Sequence, residues 1–93
     1  MADLSPRLSV IIVNVNTRDL LAACLESLTR QDVLGALELI VVENGSTDGS
    51  AEMVRQRYPA CKLVRMEETV GFGAANNVGA RNSTAPLLLF LNS

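Results

Sequence analysis

The chain contains no histidine. A histidine general base, a histidine metal ligand and a Ser-His-Asp triad are therefore excluded within it. Aromatic residues are 3% of the chain while hydrophobic residues are 48%, so a core must be built from Leu, Val, Ile and Ala. Basic residues number 8 against 10 acidic, with no basic cluster. The electrostatic footprint of a nucleic-acid binder is thus missing, and no nucleic-acid partner is expected. The two cysteines, Cys24 and Cys61, lack CxxC spacing. They read as small core residues in a reducing compartment, which points to the cytoplasm. "MADLSPR" has no apolar signal-peptide core, and the run Leu87 to Leu91 is far shorter than the roughly 20 residues that span a bilayer.

What is present alternates. At 93 residues the chain makes one small compact unit at most. "LSVIIV" (Leu8 to Val13) is β-branched and apolar on both faces, as a central parallel strand is. In the next segment Leu20, Leu21, Cys24, Leu25 and Leu28 recur at helical spacing, and Asn16 or Thr17 can cap its start. "LELIVV" (Leu37 to Val42) is a second strand. A second helix over 48–58 places Ala51, Val54 and Tyr58 on one face, with Ser46 or Thr47 as its cap and Pro59 as its stop. "CKLVRM" reads as a short edge strand. "GFGAANNVGARNS" reads as a glycine-rich turn entering a helix packed through small residues. "PLLLFL" is a fourth apolar strand. The pattern β-α-β-α-β-α-β implies an α/β fold with a parallel, helix-covered sheet and right-handed crossovers. Residues 1–7 are expected to form a loose tail ahead of a domain over 8–93.

Ligands of such sheets bind beyond the carboxyl ends of the strands. "NVNT", "ENGSTDGS" and "NS" reach that edge, and "GFGAANN" can fold over it. Asn14, Asn16 and Thr17 can cap a helix, face a ligand, or do both. Asn44, Gly45, Ser46, Thr47 and Asp48 can form a turn and cap or a ligand loop. Glu43 ends an otherwise buried strand, where a carboxylate can be solvated or can accept from a base or ribose. "GFGAAN" is a poor dinucleotide fingerprint, because it follows the third strand and lacks the last glycine. A Walker A lysine loop is absent, and the acids of a receiver domain are not in place.

The ordered set "LSVIIVNVN", "LELIVVENGSTDGS" and "VGFGAANNVGARNSTAPLLLFLNS" resembles the N-terminal half of a family 2 glycosyltransferase with the GT-A fold. "GFGAANN" and "LLLFLNS" resemble most the rhamnosyltransferase-like branch. The resemblance implies a Rossmann-like sheet of strand order 3-2-1-4. It implies that Val13, Asn14, Val15 and Asn16 lie around a nucleotide base, that Glu43 and Asn44 meet base or ribose, and that Ser46 shares their loop. Gly71, Phe72, Gly73, Asn76 and Asn77 would lie near ribose and diphosphate. The family often has tyrosine at the position of Val15, and usually aspartate at that of Glu43.

The implied reaction is an inverting displacement from a UDP- or dTDP-sugar to a saccharide or lipid-linked acceptor, with Mg2+ or Mn2+. The family's metal-binding acid is expected just after Asn92 and Ser93, and the catalytic base beyond Ser93. The 93-residue chain is therefore expected to be an inactive piece of a longer enzyme, which could sit at the inner face of the membrane through its missing parts. The exposed fourth strand is expected to pair with a second copy. A small non-enzymatic α/β module that binds a nucleotide or protein is the alternative.

Overall fold

The computed structural model describes residues 5–32 and 35–92, with Asn92 described by its backbone. In chain order the elements are β1 (Leu8–Asn14), α1 (Arg18–Gln31), β2 (Leu37–Glu43), α2 (Ser50–Arg57), β3 (Lys62–Arg65), α3 (Phe72–Arg81) and β4 (Leu87–Asn92). The four strands form a parallel sheet of order β3-β2-β1-β4. The expected fold class and strand order are both present. Asn14 pairs in register with Glu43, so β1 and β2 end at the same level.

Alternation along the strands builds two core layers. On one face Val10, Ile12 and Val41 pack with Leu21 and Leu25 of α1 and with Met53, Val54 and Tyr58 at α2. On the other face Ile11, Val13, Ile40 and Val42 pack with Ala75 of α3. A Cβ at Gly79 would collide with Cγ2 of Ile11 and crowd Val42, so this glycine permits the close approach of α3 to the sheet. Nothing lies within 4 Å of a Cβ placed at Gly71 or Gly73, so close packing explains Gly79 alone.

Several local expectations are corrected. Leu20 is 63% exposed and lies off the buried stripe of α1. α2 starts at Ser50, and neither Ser46 nor Thr47 caps it; Gly49 occupies the N-cap position with φ of 84°. Thr17 occupies the N-cap position of α1 without a side-chain capping bond. Its hydroxyl instead donates to Asn14 Oδ1 at 2.6 Å. Residues 1–4 of the expected tail over 1–7 lie outside the described residues, and at its end the Arg7 amide donates to Ala36 O at 2.9 Å, which leaves that expectation untested. Apolar β4 is a sheet edge among the described residues, and Leu87 to Phe90 are between 41% and 64% exposed.

At the amino-end side of the sheet, one side chain ties three strands to the approach of the fourth. Glu38 of β2 accepts from Ser9 Oγ of β1 at 2.7 Å, Lys62 Nζ of β3 at 3.0 Å, and Thr84 N and Oγ1 at 2.8 and 2.9 Å. Burial alone would push its carboxyl up, but these hydrogen bonds outweigh burial and hold its pKa at about 2.

Candidate functional site

The carboxyl ends of β1 and β2 carry three buried polar residues, Asn14, Glu43 and Asn44, each 2% exposed or less. Buried polar groups are stable only when paired, and the pairing here links the two loops. Asn14 Nδ2 donates to Glu43 Oε2 at 3.0 Å and to Ser46 Oγ at 3.2 Å. Ser46 N donates to Glu43 Oε1 at 3.1 Å. Both carboxylate oxygens of Glu43 therefore accept from the protein, and the carboxylate is not solvated at the strand exit.

Asn16 has φ of 50°, the sole positive φ outside glycine among the described residues. Such a conformation is uncommon and needs support from its surroundings. The second loop supplies it. Asn16 N donates to Ser46 Oγ at 2.8 Å, and Thr47 N donates to Asn16 Oδ1 at 2.8 Å.

Asp48 joins the same two loops from the other side. Its Oδ2 accepts from Arg18 N, the first amide of α1, at 2.9 Å. Its Oδ1 accepts from Ser50 N, the first amide of α2, at 3.1 Å, and from Ser50 Oγ. One carboxylate thus serves the amino ends of two helices, whose unpaired amides and dipoles favour an acceptor and negative charge. These hydrogen bonds also hold its own carboxyl below the ordinary range, against the upward push of burial. The capping expected of Asn16 or Thr17 for α1 and of Ser46 or Thr47 for α2 falls instead to Asp48. The spacing D-G-S before an apolar face could have pointed to Asp48 for α2, but not for α1, which is 30 residues away.

The loop after β3 folds back over the end of β2. Met66 N donates to Glu43 O at 2.8 Å. Asn44 turns its amide onto Val70, donating to Val70 O at 2.8 Å and accepting from Val70 N at 2.9 Å. Thr69 Oγ1 donates to Asn44 O at 3.0 Å. A Cβ at Gly45, whose φ is 86°, would strike Thr69, so glycine is required for this closure. The structure thus places Asn44 on the protein backbone, not in the open rim.

Gly71 follows Val70 as the N-cap residue of α3 and brings no side chain to cap it. Residues 71–74 are exposed, with Phe72 at 57%. Asn77 is exposed beyond them; Asn76 is half-buried, and its Oδ1 is a buried acceptor without a donor. Of the residues singled out from sequence, Asn16, Gly71, Phe72, Gly73 and Asn77 are exposed and Val15, Ser46 and Asn76 half-exposed. Val13, Asn14, Glu43 and Asn44 lie beneath them. The Asn92 side chain and Ser93 lie outside the described residues.

Among the described residues, no three His, Cys, Asp or Glu side chains gather to hold a metal ion. The donor set at this edge, amides and hydroxyls around one internally bonded carboxylate, does not fit Mg2+ or Mn2+. A larger cleft of about 610 Å³ lies elsewhere, beside Glu38, Tyr58 and Lys62. Lys62 there is paired with Glu38 and the Tyr58 hydroxyl with Ala22 O and Glu26, while Arg57 lies over the Tyr58 ring. The carboxyl edge, with glycine at the N-cap position of α3, is the better candidate for a ligand.

A parallel 3-2-1-4 sheet of this kind is shared with GT-A glycosyltransferase folds. Residues 9–93 match the family model described as glycosyl transferase family 2, and the chain belongs to that family. It is 34% identical over 99% of its length to glycosyltransferase AglE of Haloferax volcanii, covering 32% of that protein. It is 37% identical over 95% of its length to a validoxylamine A glucosyltransferase of Streptomyces hygroscopicus subsp. jinggangensis, covering 22% of it. Among solved structures it is similar to mannosyltransferase PcManGT from Pyrobaculum calidifontis in complex with GDP-Man and Mn2+. There the TM-score is 0.83 at 30% identity, covering 95% of this chain and 27% of the other. The chain therefore spans about a third or less of the length of these relatives.

Proposed function

We propose that this chain forms the donor-binding part of a glycosyltransferase that moves a sugar from a nucleoside diphosphate to an acceptor hydroxyl. The observation that carries this reading is the rim itself. Three loops are hydrogen-bonded into one unit at the carboxyl edge, and they leave the amino end of α3 exposed, with glycine at its N-cap position. A helix amino terminus with free amides and small residues suits a diphosphate. Val15, Asn16 and Ser46 form the part of the rim offered to base and ribose, resting on Asn14 and Glu43.

The reaction proposed for the longer protein is an inverting single displacement. The acceptor oxygen attacks the anomeric carbon, the bond from that carbon to the diphosphate breaks, and a carboxylate base takes the hydroxyl proton. Glu43 is buried and already bonded to Asn14 and Ser46, and Asp48 is bonded to the amino ends of α1 and α2, so neither is free to take that proton. The 93-residue chain alone is therefore proposed to bind without transferring. The mannosyltransferase relative was solved with GDP-Man and Mn2+. A divalent cation, Mg2+ or Mn2+, is proposed for the longer protein only through acids other than those described. "GFGAANN" and "LLLFLNS" support a rhamnosyltransferase-like donor, UDP- or dTDP-linked, with a saccharide or lipid-linked acceptor.

The free cysteines Cys24 and Cys61, both half-buried, suit a reducing cytoplasmic setting, and attachment at the inner face of a membrane is proposed only for the longer protein. Alone, the chain is proposed to pair through β4 with a second copy, since that strand exposes apolar faces and a free edge. A monomer mass at high concentration contradicts that pairing. Calorimetry with UDP, dTDP and GDP tests the donor reading, and heat from none of them contradicts it.

A further inference from the structure

We propose that Asn44 is a positioning residue that seats the amino end of α3 at the rim, and that the seat requires an amide at this position. The inference rests on the reading of that edge as a nucleoside-diphosphate site.

Asn44 is 2% exposed, and its side chain meets both backbone groups of one residue, Val70. The contact is a two-bond pair, donor to carbonyl and amide to acceptor. An amide supplies one of each on adjacent atoms, whereas an ionised carboxylate supplies acceptors only. Aspartate would keep the bond from Val70 N and place a carboxylate oxygen against Val70 O. In a buried setting that repulsion leaves the carbonyl unpaired.

The consequence reaches the rim by a short path. Val70 directly precedes Gly71, the N-cap residue of α3. Fixing both polar groups of Val70 fixes the direction in which the amides of residues 72–74 point. Gly71 has no side chain to cap those amides, so their aim depends on the loop before them. Thr69, bonded to Asn44 O and facing Gly45, and Met66, bonded to Glu43 O, complete the seat. The charged groups around it are Glu43, Arg65 in register with Glu43, and the exposed Glu67 and Glu68. These are common to all variants and cancel in comparison with the wild type.

The test compares wild type, Asn44→Asp and Asn44→Ala by amide exchange at Val70 and by UDP and dTDP affinity, between pH 7 and about 5. Burial raises an aspartate pKa into that range. At pH 7 both variants are expected to exchange Val70 at least tenfold faster and to bind nucleotide several-fold more weakly. On acidification Asn44→Asp recovers both properties, because a protonated carboxyl donates and accepts like the amide. Asn44→Ala recovers neither. Unchanged exchange at Val70 in Asn44→Asp at pH 7, or loss without acid recovery while Ile11 and Ile40 stay protected, overturns the proposal. If the wild type binds no nucleotide while the exchange pattern appears as expected, the seat stands and the donor-site reading falls.

Discussion

Asn14 and Glu43 are register partners at the last rung of β1 and β2, and Asn14 Nδ2 donates to Glu43 Oε2 at 3.0 Å across the two strand ends. The other oxygen of Glu43 accepts from Ser46 N. A carboxylate is therefore needed as a double acceptor. Glu43→Gln keeps one bond and sets an amide nitrogen against a donor, and Glu43→Ala removes both. Leaving buried donors unpaired costs about 1–3 kcal/mol. Thermal or urea unfolding should show Glu43→Gln destabilised, with nucleotide affinity reduced in parallel. Unchanged stability and affinity would return Glu43 to an ordinary turn residue.

Asp48 follows the same logic for two helices at once. Its two oxygens receive the first amides of α1 and α2. Asparagine offers one acceptor oxygen, so Asp48→Asn should lose one cap and Asp48→Ala both. Each lost cap costs about 0.5–2 kcal/mol. Urea midpoints should fall in that order, with exchange at Arg18 and Ser50 rising together in Asp48→Ala. Loss at one helix only would contradict the shared cap.

Glu38 makes stability depend on acid. Its carboxyl is held at about 2 in the fold, below the ordinary 4.5. A depressed carboxyl pKa contributes stability that is present above the unfolded value and is lost as pH falls through the folded value. The contribution should therefore be full above about pH 4.5 and decline toward pH 2. Glu38→Gln should be less stable than wild type at neutral pH, with the gap closing across that window. A constant gap would contradict this role.

The glycines of α3 separate packing from site. Gly79→Ala pushes a Cβ into Ile11, and such overpacking costs about 1–3 kcal/mol. Gly73→Ala meets open space and should leave the melting temperature equal or higher, since alanine favours helix. It should nonetheless weaken nucleotide binding if the diphosphate approaches the backbone there. Chemical denaturation alongside a binding titration reads both effects.

The alternation of strands and helices was legible because β1 and β2 are β-branched runs buried on both faces and α1 carries apolar residues at helical spacing. Leu20 has the spacing of the buried stripe yet is exposed, because spacing alone does not show how wide a stripe the sheet covers. The capping of α1 by Asp48 and the bonds of Asn44 to Val70 are not legible, since those partners lie 30 and 26 residues away and meet them only after the loops converge. Local chemistry offered Ser46 and Thr47 as caps, while the fold uses Ser46 to bridge Asn14, Asn16 and Glu43.

The most direct test of the donor-site account is a residue-resolved NMR titration of the chain with UDP, dTDP and GDP. The account predicts saturable shifts concentrated at Val15, Asn16, Ser46 and Gly71 to Gly73, with the cleft beside Glu38 and Lys62 silent. Shifts confined to that cleft, or none for any nucleotide in a folded sample, would contradict it.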